Sequence, residues 1–150
     1  MTDFAIRRGE PSDLGAVLAL LRNAKLPTGD LTSATGLQIW VLEVESKLVG
    51  AIALEGAGSG ARLLRSLVVI PSHQRRGLGH SLVARVESDA RAEGVQQLVL
   101  LTETAEEFFR QLGYQVIQRS AAPQPLQQSA EFLSLCPVSA VCMAKSLGRG

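Results

Sequence analysis

Apolar and polar positions along the chain switch between two periods, and the switches mark its elements. Phe4 to Arg7 predicts a short strand. Pro11 then opens a helix, with Asp13 complementing its dipole and Leu14, Val17, Leu18 and Leu21 recurring at helical spacing. Residues 23–36 carry Pro27, Gly29 and Asp30 and predict a loop. Ile39 to Val44 and Lys47 to Leu54 are β-rich runs separated by Glu45 and Ser46, which predicts a hairpin. Gly56, Gly58 and Gly60 mark the next turn, and Ala61 to Ile70 is a third apolar strand stopped by Pro71.

The spacing of Leu82, Val83, Val86 and Ala90 predicts a helix over 79–92, with Glu87, Asp89 and Arg91 mostly off its apolar face and Gly94 as C-cap. Val95 to Leu101 reads as a strand, Ala105 to Leu112 as a short helix, and Tyr114 to Arg119 as a strand. Leu126 to Leu133 reads as one more short helix and Val138 to Ala144 as a last strand. The early hairpin implies antiparallel pairing, and the strand–helix–strand unit around residues 79–94 implies a parallel crossover. The expected fold is α/β, one domain over residues 1–150, with a mixed central sheet of about seven strands flanked by helices.

Composition narrows the classes. The chain has 150 residues, 46% of them hydrophobic, enough to fill one core. Its net charge of +1 argues against a nucleic-acid partner. No apolar run approaches the roughly 18 residues of a membrane span. The first residues, MTDFAIRRGEPSDL, show no apolar signal core, so a cytoplasmic location is expected and no membrane partner. The cysteines, Cys136 and Cys142, make no disulfide framework.

One stretch concentrates chemistry: RLLRSLVVIPSHQRRGLGHSLVARV, residues 62–86. A strand meets Pro71, then a polar turn, then Gln74-Arg75-Arg76-Gly77-Leu78-Gly79, then an amphipathic helix. Glycines at a helix entrance let the backbone approach a ligand, and the unpaired N–H groups there favour anions. No carboxylate falls between Glu55 and Glu87, while Arg62, Arg65, Arg75, Arg76, Arg85, His73 and His80 do. This suits a pyrophosphate-bearing ligand. A triphosphate loop would need Lys-Ser/Thr after Gly79, and a dinucleotide fingerprint a third glycine where Leu82 stands.

What remains, Q-x-x-G-x-G after a V-x-P strand end, resembles the cofactor motif of the GNAT superfamily of N-acetyltransferases, which use acetyl-CoA. The element order fits that fold along nearly the whole chain. The resemblance implies that Leu67, Val68 and Val69 pair their backbone with the pantetheine arm. It implies that Gln74, Arg75, Arg76, Gly77, Leu78 and Gly79 hold the pyrophosphate, with His80 and Ser81 continuing into the helix. It also implies that a backbone N–H of Val68 or Val69, Val68 being the residue favoured, polarises the thioester carbonyl. The amine then attacks directly.

The later family motif reads here Thr102-Glu-Thr-Ala105-Glu-Glu-Phe-Phe109-Arg-Gln-Leu-Gly113-Tyr114. The Tyr that often protonates the leaving thiolate is replaced by Phe109, which has no proton to give. Glu55, at the end of the second hairpin strand, is the carboxylate best placed as general base, ahead of Glu43, Glu45 and Glu103. Arg65 and Lys25 are candidate cations for an acceptor's carboxylate. Strict alternation would put Arg65, Leu67 and Val69 on one face and Ser66 and Val68 on the other. No metal site is expected: both histidines sit at the phosphate loop, and buried free cysteines behave as small hydrophobes.

A narrower resemblance lies in Leu26-Pro27-Thr28-Gly29-Asp30-Leu31, in L-R-S-L-x-V, and in the tail E-F-x-x-L-C-P-x-S-A. These are similar to the small N-acetyltransferases associated with arsenic-resistance gene clusters, and the second half also resembles bacterial amino-acid acetyltransferases. The implied partner is a small-molecule amine, amino-acid-like, with the loop from Leu26 to Leu31 closing over it. Peptide or protein N-terminal acetylation is the enzyme rival, and a coenzyme-A-binding sensor the non-enzyme rival. A homodimer through the C-terminal strand is a further expectation.

Overall fold

The computed structural model describes residues 4–26, 28, 36–56, 60–74, 77–127, 129, 132 and 139–148. Seven strands form one sheet: β1 (Phe4–Arg8), β2 (Gln38–Val44), β3 (Lys47–Glu55), β4 (Ala61–Val69), β5 (Gln97–Thr102), β6 (Gln115–Ile117) and β7 (Val141–Ser146). Their order across the sheet is β1-β2-β3-β4-β5-β7-β6. Only β4 and β5 pair in parallel; the other neighbours are antiparallel. The helices are α1 (Leu14–Asn23), α2 (Leu78–Ala92), α3 (Glu106–Gln111) and α4 (Gln124–Gln127). The element order, the hairpin and the parallel crossover match the expectation.

The sheet is covered on both faces. Leu82, Val83, Val86 and Ala90 of α2 pack on one face with Trp40, Ile52, Leu54, Leu64, Leu98 and Met143. On the other face Val17 and Leu21 of α1 meet Val41, Ala51 and Val68. Leu126 of α4 joins a neighbouring cluster with Leu63, Val99 and Cys142. The β2–β3 hairpin turns through Glu45 and Ser46, both left-handed at φ 52° and 65°. That is the twist a two-residue hairpin loop requires, met here without glycine.

Boundaries shift where tertiary contacts override local pattern. α2 starts at Leu78, Val95 lies before β5, and β7 runs 141–146 rather than 138–144. α4 covers Gln124–Gln127, ahead of the expected 126–133, whose remainder lies largely outside the described residues. β7 is flanked by β5 and β6, so it offers no free edge to a second copy. The expected route to a homodimer is therefore closed; the sheet edges are β1 and β6.

The most consequential departure is in β4. Ser66 takes φ 61°, and the β3–β4 register slips between Ala51↔Val68 and Ala53↔Arg65. An extra residue at a bulge reverses the side-chain phase beyond it. Leu67 and Val69 therefore share the α2 face with Leu64, whereas Val68 points to the α1 face. Arg65, opposite Ala53, stands on that second face, so the expected grouping of Arg65 with Leu67 and Val69 does not hold.

Candidate functional site

β4 and β5 pair only through Ala61↔Gln97, Arg62↔Leu98 and Leu63↔Val99. From Leu64 onward β4 keeps its register with β3 alone, and the two parallel strands part. A cavity of about 660 Å³ opens at this parting. β4 contributes Leu67 and Val69, the loop and α2 contribute Gln74, Gly77, Gly79 and His80, and the α3 side contributes Thr104, Ala105 and Phe108.

Backbone direction along β4 fixes which groups face this cavity. The Ile70 N–H donates to Val49 of β3 at 2.8 Å. The Val69 carbonyl instead accepts from Gln74 Nε2 at 2.8 Å, on the side away from β3. The Val68 carbonyl turns back to β3, lying 2.8 Å from where a Gly50 Cβ would stand. N–H and C=O of one strand residue share a side, so the Val68 amide belongs to the β3 ladder. The amides open to the cleft are those of Val69 and, by alternation, Leu67. Of the two amides expected to polarise the thioester carbonyl, the Val69 amide faces the cleft, whereas that of Val68, the one favoured, is turned to β3.

The far end of the cavity is the N-terminus of α2. Gly77 is its N-cap at φ 74°, and no side chain caps the helix. The first intrahelical bond runs from Ser81 N–H to Gly77 O at 3.1 Å, leaving the N–H groups of Leu78, Gly79 and His80 outside the helical ladder. They carry the positive end of the dipole. Ser81 turns its hydroxyl back to Gly77 O at 3.1 Å, and the Leu78 side chain is buried in the core. Arg75 and Arg76 lie outside the described residues.

The two phenylalanines of α3 divide their work. Phe108 lies edge-on to His80, with ring centroids 5.0 Å apart, and walls the cavity. A Cβ on Gly79 would meet its ring at 3.3 Å, so glycine there lets α2 and α3 approach. Phe109 is in the core, packed edge-on against Phe108 and Tyr114. The sequence singled out Phe109 from the motif; Phe108 was missed, though its place one residue earlier on a short helix beside Ala105 was the available signal.

On the opposite sheet face, Arg65 and Glu55 form a buried ion pair at 2.9 Å, with side chains 0% and 9% exposed. Arg65 Nε also donates to Ser66 Oγ at 3.2 Å. The structure thus brings two candidate residues into direct contact with each other. Lys25 is exposed in the turn after α1, at φ 60°, and does not line the cavity. Pro27 and residues 29–31 of the expected substrate loop, and Cys136, lie outside the described residues. Cys142 is a free thiol buried in β7, and burial pushes its titration up. Among the described residues no group of His, Cys, Asp and Glu is arranged to hold a metal. No helix among them is long and apolar enough to cross a membrane.

Sequence reasoning also left Glu87 on the solvent side of α2. It is 6% exposed, accepts from Tyr114 OH at 2.9 Å, and pairs with Lys145 Nζ at 2.9 Å. Lys145 in turn donates to Leu112 O at 2.8 Å, tying β7 to the end of α3, the helix that walls the cavity.

Residues 35–116, more than half of the 150, match the acetyltransferase (GNAT) domain family, and the chain belongs to it. The fold is similar to the N-acetylglutamate synthase of Neisseria gonorrhoeae solved with coenzyme A and N-acetyl-glutamate. The TM-score is 0.82 at 22% identity, over 99% of this chain and 36% of that one. It is also similar to the ribosomal-protein-S18-alanine N-acetyltransferase of Escherichia coli, at TM-score 0.76 and 18% identity, over 99% of this chain and 96% of that one. In sequence, 79 residues (52% of this chain) are 35% identical to an amino-acid acetyltransferase of Pseudomonas fluorescens, 18% of whose length is matched. The chain thus spans under a fifth of that relative.

Proposed function

We propose that the protein transfers an acetyl group from acetyl-CoA to the amine of a small, amino-acid-like molecule in the cytoplasm. The observation that carries this reading is the parting of β4 from β5 beside the uncapped, glycine-opened N-terminus of α2. An extended, amide-bearing arm continues the ladder where β5 has left it, and a pyrophosphate meets the Leu78, Gly79 and His80 amides. Acetyl-CoA supplies an activated acyl thioester. The chain's own task is to hold it against Leu67 and Val69, and to aim the Val69 N–H at the developing oxyanion. The Gln74 side chain, bonded to Val69 O, steadies the loop that leads into α2. Arg75 and Arg76 belong to the same pyrophosphate loop on this reading.

The acceptor comes from the Arg65 face, opposite the cofactor cavity. Its nitrogen forms the new N–C bond as the C–S bond breaks, and no covalent enzyme adduct is needed. Arg65 and Lys25 are the cations this reading offers the acceptor's anionic group, Arg65 only where the groups that bury its side chain make way for the acceptor. The likeness to arsenic-resistance acetyltransferases makes arsinic and phosphinic amino-acid analogues part of the acceptor class to test.

The test is thiol release from acetyl-CoA against amino acids, their phosphinic and arsinic analogues, and short peptides. Turnover with an amino-acid-like acceptor supports the proposal. Turnover with peptides alone moves the acceptor class to peptide N-termini. Acetyl-CoA binding without any acceptor favours a sensor, and no acetyl-CoA binding overturns the cofactor assignment.

A further inference from the structure

One wall of the cavity is β4, held in the sheet; the facing wall, Ala105 and Phe108, belongs to α3 and its N-cap. α3 has only six residues, too few to be stable by itself, so whatever seats it sets that wall.

α3 is seated on α2 at two places. At the cavity, the Phe108 ring lies edge-on to His80 at 5.0 Å, with room left by Gly79. Glu87 stands seven residues further along α2, about two turns on and on the same face. Its buried carboxylate uses both oxygens: Oε2 accepts from Tyr114 OH and Oε1 from Lys145 Nζ, each at 2.9 Å. Lys145 Nζ also donates at 2.8 Å to the carbonyl of Leu112, the C-cap of α3, where a cation suits the negative end of the helix. The lysine stem crosses Gly113, 3.4 Å from where a Cβ would stand. Arg91 is a more distant neighbour of the same carboxylate, at 3.9 Å.

The rings close the loop. Tyr114 packs edge-on against Phe109 at 5.4 Å, and Phe109 against Phe108 at 5.0 Å. From Glu87 the contacts run through Tyr114, Phe109 and Phe108 back to His80, on the helix they left. A buried carboxylate that loses its cation must find another partner or turn to water, and either shift disturbs the seat of α3.

We propose that Glu87 and Lys145 are positioning residues for acetyl-CoA: they fix α3 on α2 and thereby hold Phe108 against the cofactor. Neither lines the cavity itself. The proposal rests on the reading that acetyl-CoA occupies the cavity between β4 and α3.

The test is calorimetric titration with acetyl-CoA, at a temperature where Trp40 fluorescence shows every variant fully folded. Lys145→Met keeps the stem over Gly113 and removes both bonds; it should raise the acetyl-CoA Kd about fivefold. Glu87→Gln keeps an oxygen for Tyr114 without the charge, and should raise it about threefold. Where Lys145→Met does not fold, Glu87→Gln takes its place throughout. In a Phe108→Ala background the Lys145→Met effect should shrink below about 1.5-fold, because the ring it positions is gone. A Kd equal to wild type in Lys145→Met, or an equal loss in both backgrounds, overturns the proposal. A spectroscopic readout separates positioning from mere stability. In ¹H–¹³C spectra of the ligand-free chain, the His80 imidazole signals should move in Lys145→Met toward their positions in Phe108→Ala, while those of His73 stay. Unmoved His80 signals sink the positioning role. If Phe108→Ala leaves the acetyl-CoA Kd unchanged, the placing of the cofactor in this cavity fails, and the proposal with it. If Phe108→Ala weakens binding and Lys145→Met does not, the clamp alone fails.

Discussion

Tyr114 is the only tyrosine in the chain, and its surroundings set a measurable alkaline behaviour. The residue is 1% exposed, and its hydroxyl donates to Glu87 Oε2 at 2.9 Å. Burial, then the negative charge of Glu87 and the bond to it, hold the phenol well above its ordinary range. A folded-state value raised above the unfolded one stabilises fully below pH about 10 and is lost as pH rises. Above that pH the unfolded chain sheds the phenol proton and the folded chain keeps it, so stability falls by about 1.4 kcal/mol per pH unit. Between pH 10 and 11.5 this group alone removes about 2 kcal/mol. Absorbance at 295 nm reads tyrosinate, and fluorescence of Trp40, the only tryptophan and 1% exposed, reads the fold. Tyrosinate should appear only together with the unfolding transition. Tyr114→Phe should lower stability at pH 7 by about 1.5–3 kcal/mol, the worth of a hydrogen bond to a charged group. That is about 3–12 °C in Tm for a chain of this size. The variant's alkaline slope should be shallower. A tyrosinate step near pH 10 with native Trp40 fluorescence would refute the reasoning.

Other perturbations read other parts of the fold. Arg7 grips Asp13 through both carboxylate oxygens, at 2.9 and 3.0 Å, and holds its carboxyl down at about 2. A lowered folded-state value stabilises above the unfolded one, so this contribution should fade between pH about 4 and about 2; acid melts of Asp13→Asn should lack that limb. Gly77→Ala places a Cβ at φ 74° at a cost of about 1–2 kcal/mol, about 2–8 °C in Tm, and calorimetric titration should also show weakened acetyl-CoA binding. Phe108→Ala removes a wall of the cavity and should raise the acetyl-CoA KM, while Phe109→Ala, a core deletion, should lower stability by about 3–5 kcal/mol; the reverse pattern would exchange their roles.

The elements of this chain were legible because their signals are local. The hairpin, the crossover helix and the glycine-bounded α2 entrance each announce themselves within a few residues. What escaped was set by distant partners. Glu87 looks like a solvated helix charge until Tyr114 and Lys145, brought in from two other elements, satisfy it. Phe109 carries the motif position, yet Phe108 faces the cavity, because Tyr114 draws Phe109 into the core. The β6 edge of the sheet depends on the non-sequential order β5-β7-β6, which no pairwise pattern in the sequence specifies.

Ser66 shows why the site itself was only half legible. Period-2 alternation, applied from Arg65 to Val69, places the arginine beside the cavity-lining side chains. One left-handed residue moves it through the sheet to the other face. A chain that ran straight would send Arg65 into the cavity at the β4–β5 parting, against the proposed thioester arm. With the bulge, Leu67 and Val69 serve that cavity, and Arg65 with Glu55 serves the face beyond it. On the proposed reading, donor and acceptor then approach the same stretch of β4 from opposite sides. They meet where β5 has withdrawn, with the Val69 amide between them. Direct attack follows from that geometry: neither substrate has to leave before the other arrives, and no side-chain nucleophile has to carry the acetyl group from one face to the other.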